Sequence, residues 1–163
     1  MGFSRVPDMD YTSNFYITLF SNASQDLYPD NTIAAFTTKL AHPLDLGSGW
    51  EVGVCELSSP PSEQSIYLKG NDVAAVGGDY GFLYCDVIAP QIVGDSFVRC
   101  LRTYPLSSGQ SEQIFQSVYY VPVQRNTIHT IRIEALTQRG KRVRYSNSYS
   151  PLRLVLHFRR VRV

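Results

Sequence analysis

The side chains in this sequence that could do chemistry are three histidines, three cysteines and two clusters of basic residues. His42, His129 and His157 are scattered, and none belongs to an H-E-x-x-H pattern or to a Ser-His-Asp arrangement with a recognisable nucleophile elbow. Cys55, Cys85 and Cys100 form an odd set with no C-x-x-C spacing and no histidine pair beside them, so zinc is not indicated. All three fall in segments of strand character, which reads them as small buried hydrophobes kept reduced rather than as a disulfide pair. No glycine-rich loop opens a helix to hold phosphate, since Gly77-Gly78 sits among turn residues. Asp8 and Asp10 make an acidic pair in a polar, proline-containing stretch suited to a flexible arm. The expectation is therefore a protein with no catalytic residues, no metal ligands and no cofactor, and not an enzyme.

The basic clusters read differently. Arg139, Lys141, Arg142 and Arg144 lie in TQRGKRVRYSNSYSP, where they could meet phosphates, a neighbour's acidic loop or a nuclear import receptor, or line a solvated hairpin loop. Arg159, Arg160 and Arg162 at the C-terminus are candidate assembly or anion contacts, or a charged guard on a strand edge. A pI near 7.7 and the lack of aromatics interleaved with the cations leave room only for loose contact with nucleic acid. Charge is nonetheless split along the chain. Residues 1–95 hold 12 acidic and 3 basic residues, a balance of −9, and residues 96–163 hold 2 and 12, a balance of +10, which together give the net of +1. Such a split suggests head-to-tail contacts or an anionic partner, or else compensation within one subunit if strands from both parts interleave.

The elements that would carry these residues are strands. Phe15, Ile17 and Leu19 alternate with Tyr16, Thr18 and Phe20, a period of two in aromatic and β-branched types, which predicts a strand with both faces largely covered. Ser21, Asn22, Ser24, Pro29, Asp30 and Asn31 make a turn-rich connection. A second strand over Ile33–Leu40, the loop HPLDLGSG, and a third strand with Trp50, Val52 and Val54 on one face follow. Further strands are expected at about 82–89, 97–104, 114–123, 128–136 and 152–162. In the last, Leu152, Leu154, Leu156 and Phe158 alternate, while Val161 and Val163 stand in the opposite phase. That predicts a slip at Arg159 and Arg160, after which the chain leaves its sheet. The candidate core is Phe15, Ile17, Leu19, Trp50, Val52, Val54, Leu154 and Leu156.

Eight strands without a helical period point to an all-β, two-sheet antiparallel sandwich or jelly roll. With 44% hydrophobic and 18% charged residues, 163 residues are enough for one self-sufficient domain. A flexible arm over 1–13 and a single domain over 14–163 are expected, with a long loop at about 58–81, either functional or a plain surface loop. No signal-peptide core and no run of about 20 apolar residues is present, so a soluble protein made in a cytoplasm, without membrane contact, is expected. The Asn22-Ala23-Ser24 sequon is more simply a turn.

The patterns F-x-x-x-L-x-S-N-A-S from Phe15, Y-P-x-N-T from Tyr28, F-x-x-x-L-x-x-P-L-x-L from Phe36 and W-E-V-G-V-x-E from Trp50 resemble the N-terminal half of the minor capsid (penton) protein of Maverick/Polinton elements and the related adintoviruses. The resemblance covers residues 15–56, with an echo in LRLVLHFRRV at the end of the chain. It implies an eight-stranded single jelly roll that forms homopentamers at the fivefold vertices of an icosahedral capsid. Its partners would be copies of itself, the major capsid protein of the same element and, non-specifically, packaged DNA. The implied location is the virion, with synthesis in the host cytoplasm and assembly there or in the nucleus. The alternatives are a ligand-binding β-sandwich, lectin-like or a cytokine-like trimer, and a host-retained penton-derived protein.

Overall fold

The computed structural model describes residues 13–62, 80–107, 109–145 and 150–161. Among them there is no helix; eleven strands form antiparallel sheets arranged as a sandwich. β1 (Asn14–Phe20), β3 (Trp50–Ser59), β8 (Ser111–Ile114), β9 (Val121–Pro122) and β11 (Arg153–Arg160) make the first sheet, ordered β1-β11-β3-β8 with β9 also on β3. β2 (Ala35–Asp45), β4 (Tyr80–Cys85), β7 (Cys100–Pro105) and β10 (Thr127–Thr137) make the second, ordered β2-β10-β4-β7. β5 (Gln91–Val93) and β6 (Ser96–Val98) form a separate hairpin.

The period-two pattern decides which side chains meet between the sheets. Phe15, Leu19, Trp50, Val52, Val54, Leu154 and Leu156 are buried and pack with Phe36, Leu83, Ile131, Ile133 and Phe158 from both sheets; Ile17 is half-buried against them. Phe15 stacks on Phe158 with centroids 5.0 Å apart and meets Trp50 at 5.5 Å. Between β2 and β3, Gly47 and Gly49 adopt φ of +74° and +83°, the left-handed region that glycine enters without strain.

Several boundaries differ from the sequence reading. β1 is not covered on both faces: it is an edge strand, and Tyr16 and Phe20 stand on its open outer face. β2 runs on to Asp45, but its ladder to β10 breaks between Lys39 and Leu44, where Pro43 has no N–H to contribute. The slip expected at Arg159 and Arg160 is elsewhere. Val155 opposes Glu56 and Leu156 opposes Val54, so Cys55 is the extra residue of a bulge on β3. That bulge switches the inward phase of β3 from Trp50, Val52 and Val54 to Leu57 and Ser59. β11 stays in its sheet to Arg160, and the Val161 N–H still donates to Gly49 O.

The strand expected at 82–89 starts at Tyr80 and stops at Cys85. The strand expected at 97–104 is two elements divided at Arg99, because β6 pairs with β5 across the two-residue turn of Gly94 (φ +62°) and Asp95, while β7 pairs with β4. The strand expected at 114–123 is replaced by β8, β9 and a crossing segment, residues 115–120, that lies over the outer face. Of the long loop, Ser58, Ser59, Tyr80 and Gly81 belong to strands, and residues 63–79 lie outside the described residues, as does the expected arm apart from Ser13. Cys55, Cys85 and Cys100 are free thiols. Burial pushes Cys85 up to about 12 and Cys100 up to about 11, so neither forms thiolate near neutral pH.

Candidate assembly surfaces

The outer face of the first sheet carries a cluster of polar and aromatic side chains. His157 is the cross-strand partner of Tyr16 on one side and of Gly53 on the other. Because Gly53 has no side chain, the crossing segment descends onto β3 there; a Cβ at Gly53 would lie 2.5 Å from Val118 Cγ1 and 2.7 Å from the Tyr119 carbonyl oxygen. This brings the Tyr120 hydroxyl to 2.7 Å from His157 Nδ1. On the other side of the ring, Nε2 lies 3.2 Å from Asn14 Oδ1, and Tyr16 stacks on the imidazole at 4.4 Å. A carbonyl oxygen only accepts, so Nε2 carries the proton and Nδ1 accepts from Tyr120. Arg159 lies 3.5 Å over the Tyr120 ring and pairs with Glu51.

Burial first, and the neighbouring Arg159 charge second, hold the His157 pKa below its ordinary value near 6.5. The folded protein thus binds this proton less readily than the unfolded chain. The stability contributed by the neutral ring is complete above about 6.5 and is lost as pH falls below it. Unfolding by urea should show a lower midpoint at pH 5.5 than at pH 7.5, and His157→Gln should flatten that difference. An equal pH dependence in the variant would remove His157 as its source.

The crossing segment is also held from the second sheet. The Arg102 guanidinium lies between the rings of Phe115, at 3.7 Å, and Tyr119, at 4.5 Å, and Nη1 donates to the Ser117 carbonyl at 2.7 Å. Sequence reasoning named neither Arg102 nor His157 for this role. The only signal was Gly53 within an otherwise filled strand, a mark of close backbone approach.

The basic residues singled out from sequence do not form one site. Arg139, Lys141, Arg142 and Arg144 are exposed where the chain turns back along β10, with Val143 N–H donating to Ala135 O. Arg142 lies 3.9 Å from Glu134. Arg142 and Arg144 line a groove of about 510 Å³ together with Asn22, Gln25, Thr32 and Ile33. Arg159 and Arg160 stand at the far end of β11, about 20 Å away at the rise of a strand. Arg160 lies 5.4 Å over the Trp50 ring, and Arg162 lies outside the described residues.

The split of charge along the chain is partly compensated within the subunit. The pairs Arg125–Asp86, Arg153–Glu56 and Arg159–Glu51 each join a cation of the second part to a carboxylate of the first. Each is partly exposed, so each contributes little to stability. Among the described residues large apolar side chains stand open in several places, Leu27, Tyr80 and Val161 among them. Ile92 and Phe97 face each other across the β5–β6 hairpin, and Tyr16, Phe20, Ile114 and Tyr119 stand on the outer face of the first sheet. No protein-family model matches the chain, and no curated protein matches it.

Proposed function

We propose that the protein is a structural virion component, a single jelly-roll penton that closes into homopentamers at the fivefold vertices of a capsid of the Maverick/Polinton and adintovirus type. The observation that carries the reading is the pairing order of the sheets. With the β5–β6 hairpin set aside and β8–β9 taken as one interrupted strand, eight strands remain, ordered first-eighth-third-sixth in one sheet and second-seventh-fourth-fifth in the other. That order supports the jelly-roll reading, a fold of two coiled Greek keys. The motif resemblance over residues 15–56 supplies the penton assignment. A subunit with unlike surfaces suits heterologous contacts that close a ring. In this reading the partners are copies of the chain and the major capsid protein, contact with packaged DNA is loose, and no cofactor or reaction is involved.

The test is the mass of the purified protein by light scattering across a concentration and salt series. A species near five times 18.4 kDa is expected. A trimer would transfer the weight to a cytokine-like sandwich, and a monomer that fails to join vertices when mixed with the major capsid protein would sink the penton reading.

A further inference from the structure

Among the described residues the two sheets end in four edge strands, and three of these edges carry a charge or a proline, which blunts an edge locally without closing every position on it. β2 has Lys39 and Pro43, and its outward groups at Thr37 and Lys39 are already bonded to Asn31 and Ser24; β7 has Arg102 and Pro105; on the β8–β9 edge β9 has Pro122, whose carbonyl accepts from the Ala89 N–H, while β8 carries a single charge, Glu112. β1, NFYITLF, has neither. At one end of β1 the Arg160 N–H donates to Ser13 O, and at the other the Ser21 N–H donates to Leu152 O. In the register between them, the odd residues of β1 are the ones that exchange hydrogen bonds with β11. The backbone groups of Tyr16 and Thr18 therefore point away from β11, toward the open edge.

The opposite margin of the same sheet repeats this arrangement. The Phe115 N–H donates to Cys55 O, so Glu112 and Ile114 of β8 also direct their backbone groups outward. Ile114 is 71% exposed on the face that also carries Tyr16, 63% exposed. Strand direction reverses at each step from β1 through β11 and β3 to β8, so β8 runs opposite to β1. A copy rotated about an axis along the strands would bring its β8 antiparallel to β1 and its Ile114 toward Tyr16. We infer that β1 of one copy pairs with β8 of the next, so that the sheet continues from subunit to subunit around the ring; this rests on the ring-forming reading above.

Two variants test it. Thr18→Pro removes a donor that faces the open edge and spares the ladder to β11, as proline on an edge strand does; Ile114→Pro does the same on β8. Each variant, shown folded by its circular dichroism melt, should be monomeric where the unaltered protein is a ring. An equal mixture should stop at dimers, because each variant keeps one working edge. In the unaltered protein, exchange of the Tyr16 and Thr18 amides should slow on assembly, while that of Ile17 is slow throughout. If Thr18→Pro does not fold, Thr18→Lys and the exchange pattern decide. A Thr18→Pro protein that still closes a pentamer overturns the inference and leaves the penton reading standing. A trimer that Thr18→Pro dissolves, with the mixture stopping at dimers, supports the edge and sinks fivefold assembly. A dimer indifferent to Ile114→Pro, or a protein monomeric at every concentration with no slowing at Tyr16 and Thr18, overturns the pairing of unlike edges.

Discussion

Replacing Trp50 with alanine is expected to lower the unfolding free energy by roughly 3–5 kcal/mol, the range for removing a large buried aromatic. Trp50 is 2% exposed at the start of β3, beside the Phe15–Phe158 stack that joins β1 to β11. Its loss would leave a cavity at the closed end of the sheet, and the paired strands cannot collapse into it without breaking their ladders. Trp50→Phe should cost much less. The indole Nε1 is buried without a hydrogen-bond partner among the described residues, so phenylalanine gives up area but also removes an unsatisfied donor that costs about 1–3 kcal/mol. Urea denaturation of the three proteins at one pH measures both effects. Equal losses for alanine and phenylalanine would mean that the indole nitrogen has an acceptor, and an unchanged midpoint for alanine would mean that Trp50 does not face the core.

Why the strands were legible and their neighbours partly were not follows from the range of the forces involved. Alternation is local, so Phe15 and Leu19, Trp50 to Val54, and Leu154 to Phe158 revealed their inward faces without any knowledge of partners. Pairing is not local: Asn14 lies opposite Arg159, and nothing within either segment records that register. The bulge at Cys55 was hidden for the same reason. Its sign is the phase change from Val54 to Leu57, which becomes a bulge only once β11 holds both ends of β3 in place.

The segment from Ile114 to Val123 misled because aromatic and β-branched residues suit any half-buried surface, and these lie across a sheet rather than in one. The two-residue turn Gly94-Asp95 was an available hairpin signal between Ile92 and Phe97. Among the candidate contacts, sequence could name the cations but not group them. Arg142 and Arg159 belong to opposite ends of the sandwich, a separation set by the direction of β11.

Gly53→Ala is expected to destabilise the protein by about 1–3 kcal/mol, the cost of forcing a methyl group into filled space. The sign is the informative part. At a strand position with ordinary room, exchanging glycine for alanine stabilises by about 0.4–1 kcal/mol, because it reduces the freedom of the unfolded chain. Here the new methyl would stand 2.7 Å from a backbone oxygen as well as 2.5 Å from Val118 Cγ1, so the crossing segment itself must move. Tyr120 would draw away from His157, the cross-strand partner of Gly53, and Arg102 would lose the fit between Phe115 and Tyr119. With the imidazole wetter, the burial that lowers its pKa would weaken, and the His157 titration followed by NMR should move up toward 6.5 in the same variant. A lower urea midpoint together with an upward His157 titration would tie the crossing segment to Gly53. A variant more stable than the parent would mean that residues 118–119 do not rest on β3, and the arrangement of Tyr120 on His157 would fall with it.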